Sequence, residues 1–490
     1  MKLLYIDLFC GAGGTSTGVE NARHDGRQCA KVIGCVNHDA NAIASHAANH
    51  PDALHFTEDI RTLELSPLTA HIAEMRRQYP DAFVVLWASL ECTNFSKAKG
   101  GQSRDADSRT LAEHLFRYIE AINPDYIQIE NVEEFMSWGD LDENGKPISK
   151  DAGRLYQQWV SNVCGYGYRF AHRILNSADY GAYTTRRRFF GIFAKESLPI
   201  VFPEPTHSKD GATGLFGQMQ RWKPVREVLD FTDEGKSIFG RKKPLVDATL
   251  ERIYAGLIKF VAGGKEAFLV KWNSMSSTGK YHAPSIDEPC PTVATQNRLG
   301  IAQVNFLSKH YGGSPAGKCV SVEEPAGTIT TWDHHSFITA YYGNGHNHSI
   351  DAPAPTLTTR DRLAFVDMQY GNGTPCGIET PAPTVTTNPK HQLVTCRMKQ
   401  QGATIAVTTD DSPAMAKIKR FMALYGIIDI KMRMLRIPEL KRIMGFPSDY
   451  VLVGTQADQK KFIGNAVEVN MARVLCEALC TQLIKNNIAA

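Results

Sequence analysis

Two kinds of hydrophobic pattern alternate along the first two hundred residues. Short continuous apolar runs predict buried strands at 3–9, 31–36, 83–88, 125–130 and 188–193. Stretches of mixed apolar and polar positions between most of these strands predict helices at 15–24, 39–49, 66–78, 110–122 and 153–164. Because strands that alternate with helices usually form a parallel sheet covered on both faces, we expect an α/β domain with ligands at the carboxyl ends of its strands.

The pattern changes after about residue 200, where an amphipathic helix is predicted over 246–262 and an internal repeat follows it. The repeat has four related segments, DEPCPTVATQNR (287–298), EPAGTITTWDHH (324–335), DAPAPTLTTRDR (351–362) and ETPAPTVTTNPK (379–390). The matching threonines, which step by 36, 28 and 28 residues, are Thr292, Thr328, Thr356 and Thr384. Each segment combines a proline turn, a β-branched run and a polar tip, which predicts a β-rich second domain.

A helical pattern returns at 467–485 and is expected to pack back on the first domain. The predicted division is therefore a first domain at 1–200, a second domain at 201–430 and a return segment at 431–490 that completes the first domain. The length of 490 residues and the 43% apolar and 21% charged composition are typical of a globular protein of several domains.

Composition excludes several classes of protein. No apolar run approaches the eighteen residues of a membrane-spanning helix, and glycines interrupt the start before a signal-peptide core forms, so a cytoplasmic protein is expected. The 54 basic and 51 acidic side chains give a net charge of +3, which by itself predicts neither a nucleic-acid partner nor an acidic substrate. The 11 cysteines form no C-x-x-C motif, so neither disulfides nor a structural metal is expected.

A glycine-rich segment, DLFCGAGGTSTG, links the first predicted strand to the first helix. Glycines there allow a sharp turn and a close approach of the backbone to a nucleotide-like ligand, although a simple tight turn has the same pattern. Asp39 follows the strand at 31–36, and Asp59, in the segment FTEDI, is expected to follow a further short strand before 83–88; at such positions a carboxylate can bind a ribose or an adenine amino group. Either aspartate also fits a helix cap or a loop position.

Cys92 follows the strand at 83–88 on a loop that also carries Lys97, Lys99, Arg104 and Arg109. Nearby cations favour the nucleophilic thiolate, although a single cysteine on a loop is usually inert. A catalytic function is favoured by Glu130, at the end of the next strand, and by Arg186 and Arg188, which lead into another strand. Side chains at neighbouring strand ends are expected to converge in one crevice.

Six motifs occur in an order that resembles the DNA cytosine-5 methyltransferases. They are DLFCGAGG, ECTNFS, the ENV triplet, YGAYTTRRR, RIMGFPSDY at 442–450 and FIGNAV at 462–467. A long insert precedes the last two, where that family keeps its target-recognition domain. The resemblance implies a Rossmann-like S-adenosylmethionine-dependent methyltransferase domain and a second, β-rich, repeat-containing target-recognition domain.

The resemblance also implies functions for individual residues. Cys92 would add to C6 of a flipped cytosine, Glu130 would bind the N3/N4 edge of the base, and Arg186 and Arg188 would hold the nucleotide. No metal is needed. The implied S-adenosylmethionine contacts are Phe9, Gly11, Ala12, Gly13, Asn37, His38, Asp39, Asp59, Ile60 and Asn465.

The implied partner is double-stranded DNA, bound by a monomer. Lys97, Lys99 and Arg104 are the candidate DNA contacts near the nucleophile, and Arg298, Arg360 and Arg362 at the repeat tips are candidates for sequence reading. Residues 201–430 hold 24 Lys and Arg against 21 Asp and Glu, so no strong basic field supports this prediction. A solvated β-surface explains any single tip equally well.

Four positions depart from the family pattern, namely Asn37, Glu91, Thr184 and Glu468. Glu91 stands directly before Cys92, where a carboxylate disfavours the thiolate unless a cation neutralises it. The interpretation we favour is a tolerated replacement of proline that pairs with a basic neighbour. The alternative is that Glu91 contacts the methyl donor or the flipped base.

Two other functions remain open at this point. A transfer-RNA cytosine methyltransferase uses the same catalytic set, although a large repeat domain is unnecessary for such a substrate. A catalytically silent DNA-binding relative is expected to lose the cysteine or the glutamate, and both are present here. The sequence leaves open whether the modification serves restriction, self-protection or regulation.

Overall fold

The computed structural model describes two compact units, Met1–Trp222 with Met444–Ala490, and Lys223–Ile443. The described residues are 1–90, 112–140, 152–211, 213–214, 217–230, 232–233, 236–258, 407–425, 427–488 and 490, together with the strands given below for 267–398. None of the helices in these ranges has the length and apolar character needed to cross a membrane.

The first unit is built on a seven-stranded sheet. Its strands are β1 (Leu3–Leu8), β2 (Ala30–Val36), β3 (Leu54–Phe56), β4 (Phe83–Ser89), β5 (Tyr126–Asn131), β6 (Tyr168–Asn176) and β7 (Arg187–Lys195). They lie in the order β3-β2-β1-β4-β5-β7-β6. Strands β1 to β5 are parallel, as the sequence pattern predicts.

One edge of the sheet departs from the parallel pattern, since β7 runs antiparallel to both β5 and β6. Strand β6 was not predicted, because its residues alternate irregularly between buried and exposed positions at the edge of the sheet. The short connection after Asn176 contains a 3₁₀ turn at Ser177–Tyr180 and joins β6 to β7 as a hairpin. A connection this short can only join antiparallel strands.

Helices cover both faces of this sheet. They are α1 (Gly14–Glu20), α2 (Ala40–Asn49), α3 (Ser66–Gln78), α4 (Leu115–Ile122), α5 (Arg154–Cys164), α6 (Gln456–Asn465) and α7 (Val469–Lys485). One apolar core includes Leu68, Ile119 and Trp159, and the other includes Trp87 and Leu475. Shorter elements are a 3₁₀ turn at Glu133–Ser137 and the paired two-residue strands Arg23–His24 with Arg27–Gln28, His207–Ser208 with Gln220–Arg221, and Thr213–Gly214 with Gly217–Gln218.

The C-terminal helix α7 belongs to the first unit and packs on α1. At Gly18 an added Cβ would lie 2.6 Å from Ala472 Cβ, so only glycine permits this approach of the two helices. The last motif of the chain is thereby placed beside the glycine-rich turn that follows β1.

The second unit contains a six-stranded sheet. Its strands in spatial order are Lys236–Ser237, Ile427–Met434, His391–Met398, Leu363–Met368, Leu299–Gln303 and Ala267–Lys271. A second sheet has three strands, Cys319–Val320, Leu307–Lys309 and His335–Phe337. The helical segments are a 3₁₀ turn at Val225–Val228 and helices at Asp247–Gly256, Pro413–Tyr425 and Ile437–Ile443.

The sequence repeat corresponds to a repeat of strands. The strands that follow the four tips begin at Leu299, His335, Leu363 and His391, with the same steps of 36, 28 and 28 residues as the threonines. Three of these strands lie in the six-stranded sheet. The β-rich character of the second unit is therefore confirmed, while the threonines and the tips themselves lie outside the described residues.

The limits of the two units differ from the predicted boundaries at 200 and 430. After residue 200 the chain still packs on the first unit, since Thr206 N donates to Asp179 O at 3.0 Å and Trp222 Nε1 donates to Asp179 Oδ1 at 2.8 Å. At the other end, Arg433 Nε donates to Asp233 O at 2.6 Å and Asp230 N donates to Glu439 Oε1 at 2.8 Å, which keeps the residues after 430 in the second unit. Neither set of contacts is visible as a change of composition.

Candidate active site

The glycine-rich turn after β1 adopts a left-handed backbone at three positions. Phe9, Gly11 and Gly13 have φ angles of 60°, 51° and 96°. On Gly13 an added Cβ would lie 3.2 Å from the His46 ring, whereas on Gly11 it would meet no described atom within 4 Å. The backbone at Gly11 therefore borders open space, which fits the close approach of a ligand.

A tyrosine from the RIMGFPSDY motif holds this turn in place. The Tyr450 hydroxyl is buried and donates a hydrogen bond to the carbonyl of Ala12. Burial raises the pKa of Tyr450 well above its ordinary value, so the hydroxyl keeps the proton that it donates. The motif near the end of the chain thus supports the first motif of the chain.

The segment after β2 forms the start of α2. Asp39 Oδ1 accepts hydrogen bonds from Asn41 N at 3.0 Å and Ala42 N at 3.2 Å, and Asp39 Oδ2 lies 3.2 Å from Lys461 Nζ. Asn37 Oδ1 accepts from Asp39 N at 2.9 Å. Asp39 is therefore a helix cap, as one interpretation of the sequence had it, and Asn37, His38 and Asp39 follow the end of a central strand directly.

Asp59 and Ile60 lie after β3. The Asp59 carboxylate accepts from Arg61 Nε at 3.0 Å and from Arg61 N at 2.9 Å. The hydrogen bond from the Arg61 side chain lowers the pKa of Asp59 to about 2, so the carboxylate is ionised at neutral pH. Ile60 is buried, and its carbonyl accepts from the Tyr118 hydroxyl at 3.0 Å, which fixes the backbone here.

Glu130 lies near the carboxyl end of β5, and 5% of the residue is exposed. Its Oε1 is 3.4 Å from Arg188 Nε. Burial raises the pKa of Glu130, while the positive charges of Arg186 and Arg188 oppose this rise. The site therefore holds a carboxyl group in a place from which water is largely excluded, where hydrogen bonds to it are strong.

Arg186 is buried and links the start of β7 to the end of α6. Its Nη1 donates to Gly464 O at 3.2 Å, next to the exposed Asn465. The structure thus brings Glu130, Arg186 and Arg188 together at the strand ends, and Arg186 also reaches the segment that contains Asn465.

The other predicted site residues lie outside the described residues. These are Cys92, Lys97, Lys99, Arg104, Arg298, Arg360 and Arg362. The described chain leading towards Cys92 is held beside β5, because Asn131 Nδ2 donates to Leu90 O at 3.3 Å. Leu90 is two residues before Cys92 and Asn131 is adjacent to Glu130 in the sequence.

Two departures from the family pattern, Glu468 and Thr184, are buried in this unit. Glu468 is fully buried and caps α7, accepting from Asn470 N at 3.1 Å and Met471 N at 2.7 Å. Burial raises the pKa of Glu468 to about 7. Thr184 is fully buried, and its hydroxyl has no hydrogen-bond partner among the described residues.

Sequence reasoning missed a group of thiols and imidazoles beneath the glycine-rich turn. Cys10, Cys35 and His46 place their ligand atoms within 4.8 Å of one another, and all three are buried. The positions of these residues could have indicated the group. Cys10 and Cys35 lie at the ends of adjacent parallel strands, and His46 lies on the helix that follows the second strand.

The order of the strands, with one antiparallel strand near the edge, and the glycine-rich turn after β1 define a Rossmann-like methyltransferase fold. The model of the C-5 cytosine-specific DNA methylase family matches residues 3–242 and 324–481. The chain belongs to this family.

Individual relatives match over a smaller part. The chain is 28% identical to the Type II methyltransferase M.AgeI of Thalassovita gelatinovora, over 43% of this chain and 44% of that protein. It is 27% identical to the Type II methyltransferase M1.HphI of Haemophilus parahaemolyticus, over 44% of this chain and 52% of that protein. The chain thus spans about half the length of these relatives. The S. pombe Dnmt2 methyltransferase is 14% identical with a TM-score of 0.45, and the match covers 100% of both chains.

Proposed function

We propose that the protein transfers a methyl group from S-adenosylmethionine to C5 of cytosine in a specific sequence of double-stranded DNA. The observation that carries the proposal is the buried Glu130 with its partner Arg188, 3.4 Å away, at a strand end of a C-5 cytosine-specific DNA methylase fold. A buried, hydrogen-bonding carboxyl group beside two guanidiniums suits the recognition of a base edge better than it suits packing.

The chemistry requires covalent activation, because cytosine C5 is too weak a nucleophile to attack a methyl sulfonium directly. We assign the nucleophile to Cys92, whose thiolate adds to C6 and places electron density on C5. Once C5 carries the methyl group, loss of the C5 proton and elimination of the thiolate restore the aromatic ring. Glu130 binds the N3/N4 edge of the base during these steps.

The described residues fit the cofactor, which supplies an electrophilic methyl group when bound. The turn formed by Phe9, Gly11, Ala12 and Gly13 borders open space at Gly11. Asp39 and the ionised Asp59 follow the neighbouring strands β2 and β3. These carboxylates can accept hydrogen bonds from a ribose and an adenine, and Asn37, His38, Ile60 and Asn465 complete the proposed site.

The target base must leave the duplex, because C5 and C6 are inaccessible within stacked base pairs. Flipping costs a few kcal/mol in lost stacking and pairing. Arg186 and Arg188 hold the flipped nucleotide in the proposal, and Lys97, Lys99 and Arg104 contact the DNA near it. Arg298, Arg360 and Arg362 of the second unit are proposed to read the sequence, and the Type II names of the relatives favour a restriction-modification system.

Transfer of labelled methyl groups from S-adenosylmethionine to duplex DNA tests this proposal, with sequencing of the modified positions. We expect 5-methylcytosine at one short recurring sequence and no label in a transfer-RNA control. Label in the transfer RNA but not in DNA would instead support the RNA methyltransferase. Absence of label in both substrates would favour a silent DNA-binding protein.

A further inference from the structure

Four side chains with metal-binding atoms converge beneath the glycine-rich turn. Cys10 follows β1, Cys35 lies in β2, His46 lies on α2 and His55 lies in β3. The ligand atoms of the first three lie within 4.8 Å of one another. His55 Nε2 is 3.0 Å from His46 Nδ1, so His55 adjoins this group of three through His46.

A hydrogen-bonded relay orients His46 towards this point. His46 Nε2 lies 2.8 Å from Ser16 Oγ, and the Ser16 hydroxyl donates its proton to Asp7 Oδ2 at 2.8 Å. Since that proton is committed to Asp7, Ser16 Oγ accepts from Nε2–H, and the Nδ1 lone pair of His46 faces His55 Nε2 at 3.0 Å and Cys35 Sγ at 3.6 Å. Metal-binding histidines are commonly oriented in this way through their second ring nitrogen.

Burial and charge also fit a metal ion. Cys10, Cys35 and His46 have exposed fractions of 6%, 0% and 0%. A divalent ion held by two thiolates and two neutral imidazoles has no net charge, which removes most of the cost of burying it. Two sulfur and two nitrogen ligands in a closed site are typical of structural Zn²⁺.

We propose that Cys10, Cys35, His46 and His55 bind one Zn²⁺ ion in a tetrahedral structural site. The proposal revises the expectation, made from the cysteine spacing, that the protein has no structural metal. The four ligands come from four separate elements, so a spacing motif of the zinc-finger kind is absent. The ion would tie β1, β2, β3 and α2 together, and because Cys10 O accepts from Gly13 N at 3.0 Å, it would also fix the glycine-rich turn.

Neighbouring residues of the same types provide matched controls. His50 follows the end of α2, four residues after His46. Its Nε2 lies 3.0 Å from Thr17 Oγ1 and 3.4 Å from the Tyr450 hydroxyl. Cys476 is as deeply buried as Cys35, but it lies on α7 in the apolar core that includes Leu475. Among the described residues, no group of three or more potential ligands other than Cys10, Cys35 and His46 meets the same distance limit.

The zinc content of the full chain, purified under reducing conditions without chelators, tests the proposal by elemental mass spectrometry. We expect about one Zn²⁺ per chain. Cys35→Ser and His55→Gln should lose most of this metal, whereas Cys476→Ser and His50→Gln should retain it. Exchange for Co²⁺ should give the visible bands of tetrahedral cobalt and a thiolate charge-transfer band, which the Cys35→Ser variant should lack.

Several outcomes would overturn the site. The proposal is wrong if the chain holds neither zinc nor cobalt after reduction and reconstitution. It is also wrong if intact mass finds a Cys10–Cys35 disulfide in the freshly isolated protein, or if Cys35→Ser keeps its full metal content. If Cys35→Ser fails to fold by circular dichroism, the half-buried His55→Gln variant decides the matter. Because the readout is metal content, a protein without methyl-transfer activity can still confirm the site.

Discussion

Arg188 Nε lies 3.4 Å from Glu130 Oε1, with 13% and 7% of the two side chains exposed. The adjacent Arg187 pairs with Glu133 at 2.9 Å, but there 60% and 40% of the side chains are exposed. Two consecutive arginines thus form one buried and one surface ion pair with two glutamates three residues apart. The buried pair alone lies where the family motifs place the chemistry.

Replacing Glu130 with glutamine should therefore abolish most activity without unfolding the protein. The isosteric amide keeps the shape of the site and removes the carboxyl group, so we expect kcat to fall by at least about 10²-fold. Glu133→Gln is the matched control and should change kcat less than about threefold, because exposed ion pairs contribute little. Equal losses in the two variants, measured by steady-state methyl transfer, would contradict a special role for Glu130.

Asp59→Ala should weaken S-adenosylmethionine binding more than DNA binding. The lost hydrogen bond from the adenine to a charged acceptor predicts an increase in the cofactor Kd of about tenfold or more. Glu58→Ala, which changes the neighbouring exposed acid, is the control and should bind the cofactor normally. Unchanged affinity of Asp59→Ala by calorimetry would remove Asp59 from the site.

Glu468 should make the stability of the protein depend on pH. Its pKa is raised from 4.5 to about 7 on folding, so between these values the folded state binds the proton more tightly than the unfolded state. The free energy of unfolding should therefore fall as pH rises through this window, by at most about 3 kcal/mol, and level off above it.

Glu468→Gln should remove this slope, as measured by urea denaturation across the window. Asp458→Asn is the control, because the pKa of the exposed Asp458 is lowered and its titration lies below the window. An unchanged slope in Glu468→Gln would show that another group titrates there.

Substitution of Arg298, Arg360 or Arg362 should alter DNA recognition in one of two ways. If the arginine reads a base, the alanine variant should relax specificity at one position at a cost of about 1–3 kcal/mol. If it contacts a phosphate, binding should weaken on all sequences, with a smaller salt dependence. Exchange of the whole segment 270–400 without any change of the methylated sequence would show that recognition lies elsewhere.

The parallel part of the fold was readable from the sequence because each buried strand is a continuous apolar run, as in β1 and β4. The reversed β6–β7 hairpin was not readable in this way, since the edge strand β6 has no clear alternation of apolar and polar residues. Glu130, Arg186 and Arg188 were predicted to converge because their motifs lie at strand ends. The support of Ala12 by Tyr450 joins residues far apart in the chain, and only the tertiary structure reveals it.

The proximity of Cys10 and Cys35 was also not predictable from the sequence. A search by spacing treats Cys10 and Cys35 as unrelated buried residues, because the chain between them forms a complete helix. Parallel pairing of β1 with β2 brings their ends together, and α2 then adds His46. A ligand set assembled from separate elements therefore leaves no local signature.

Covalent trapping on a duplex that contains 5-fluorocytosine tests the central claim most directly, because fluorine at C5 prevents the elimination that releases the enzyme. With S-adenosylmethionine present, intact mass spectrometry should find wild-type protein joined to the DNA through Cys92, and Cys92→Ala should bind the same DNA without forming the adduct. Turnover of normal DNA by Cys92→Ala, or an adduct at another residue, would contradict the account.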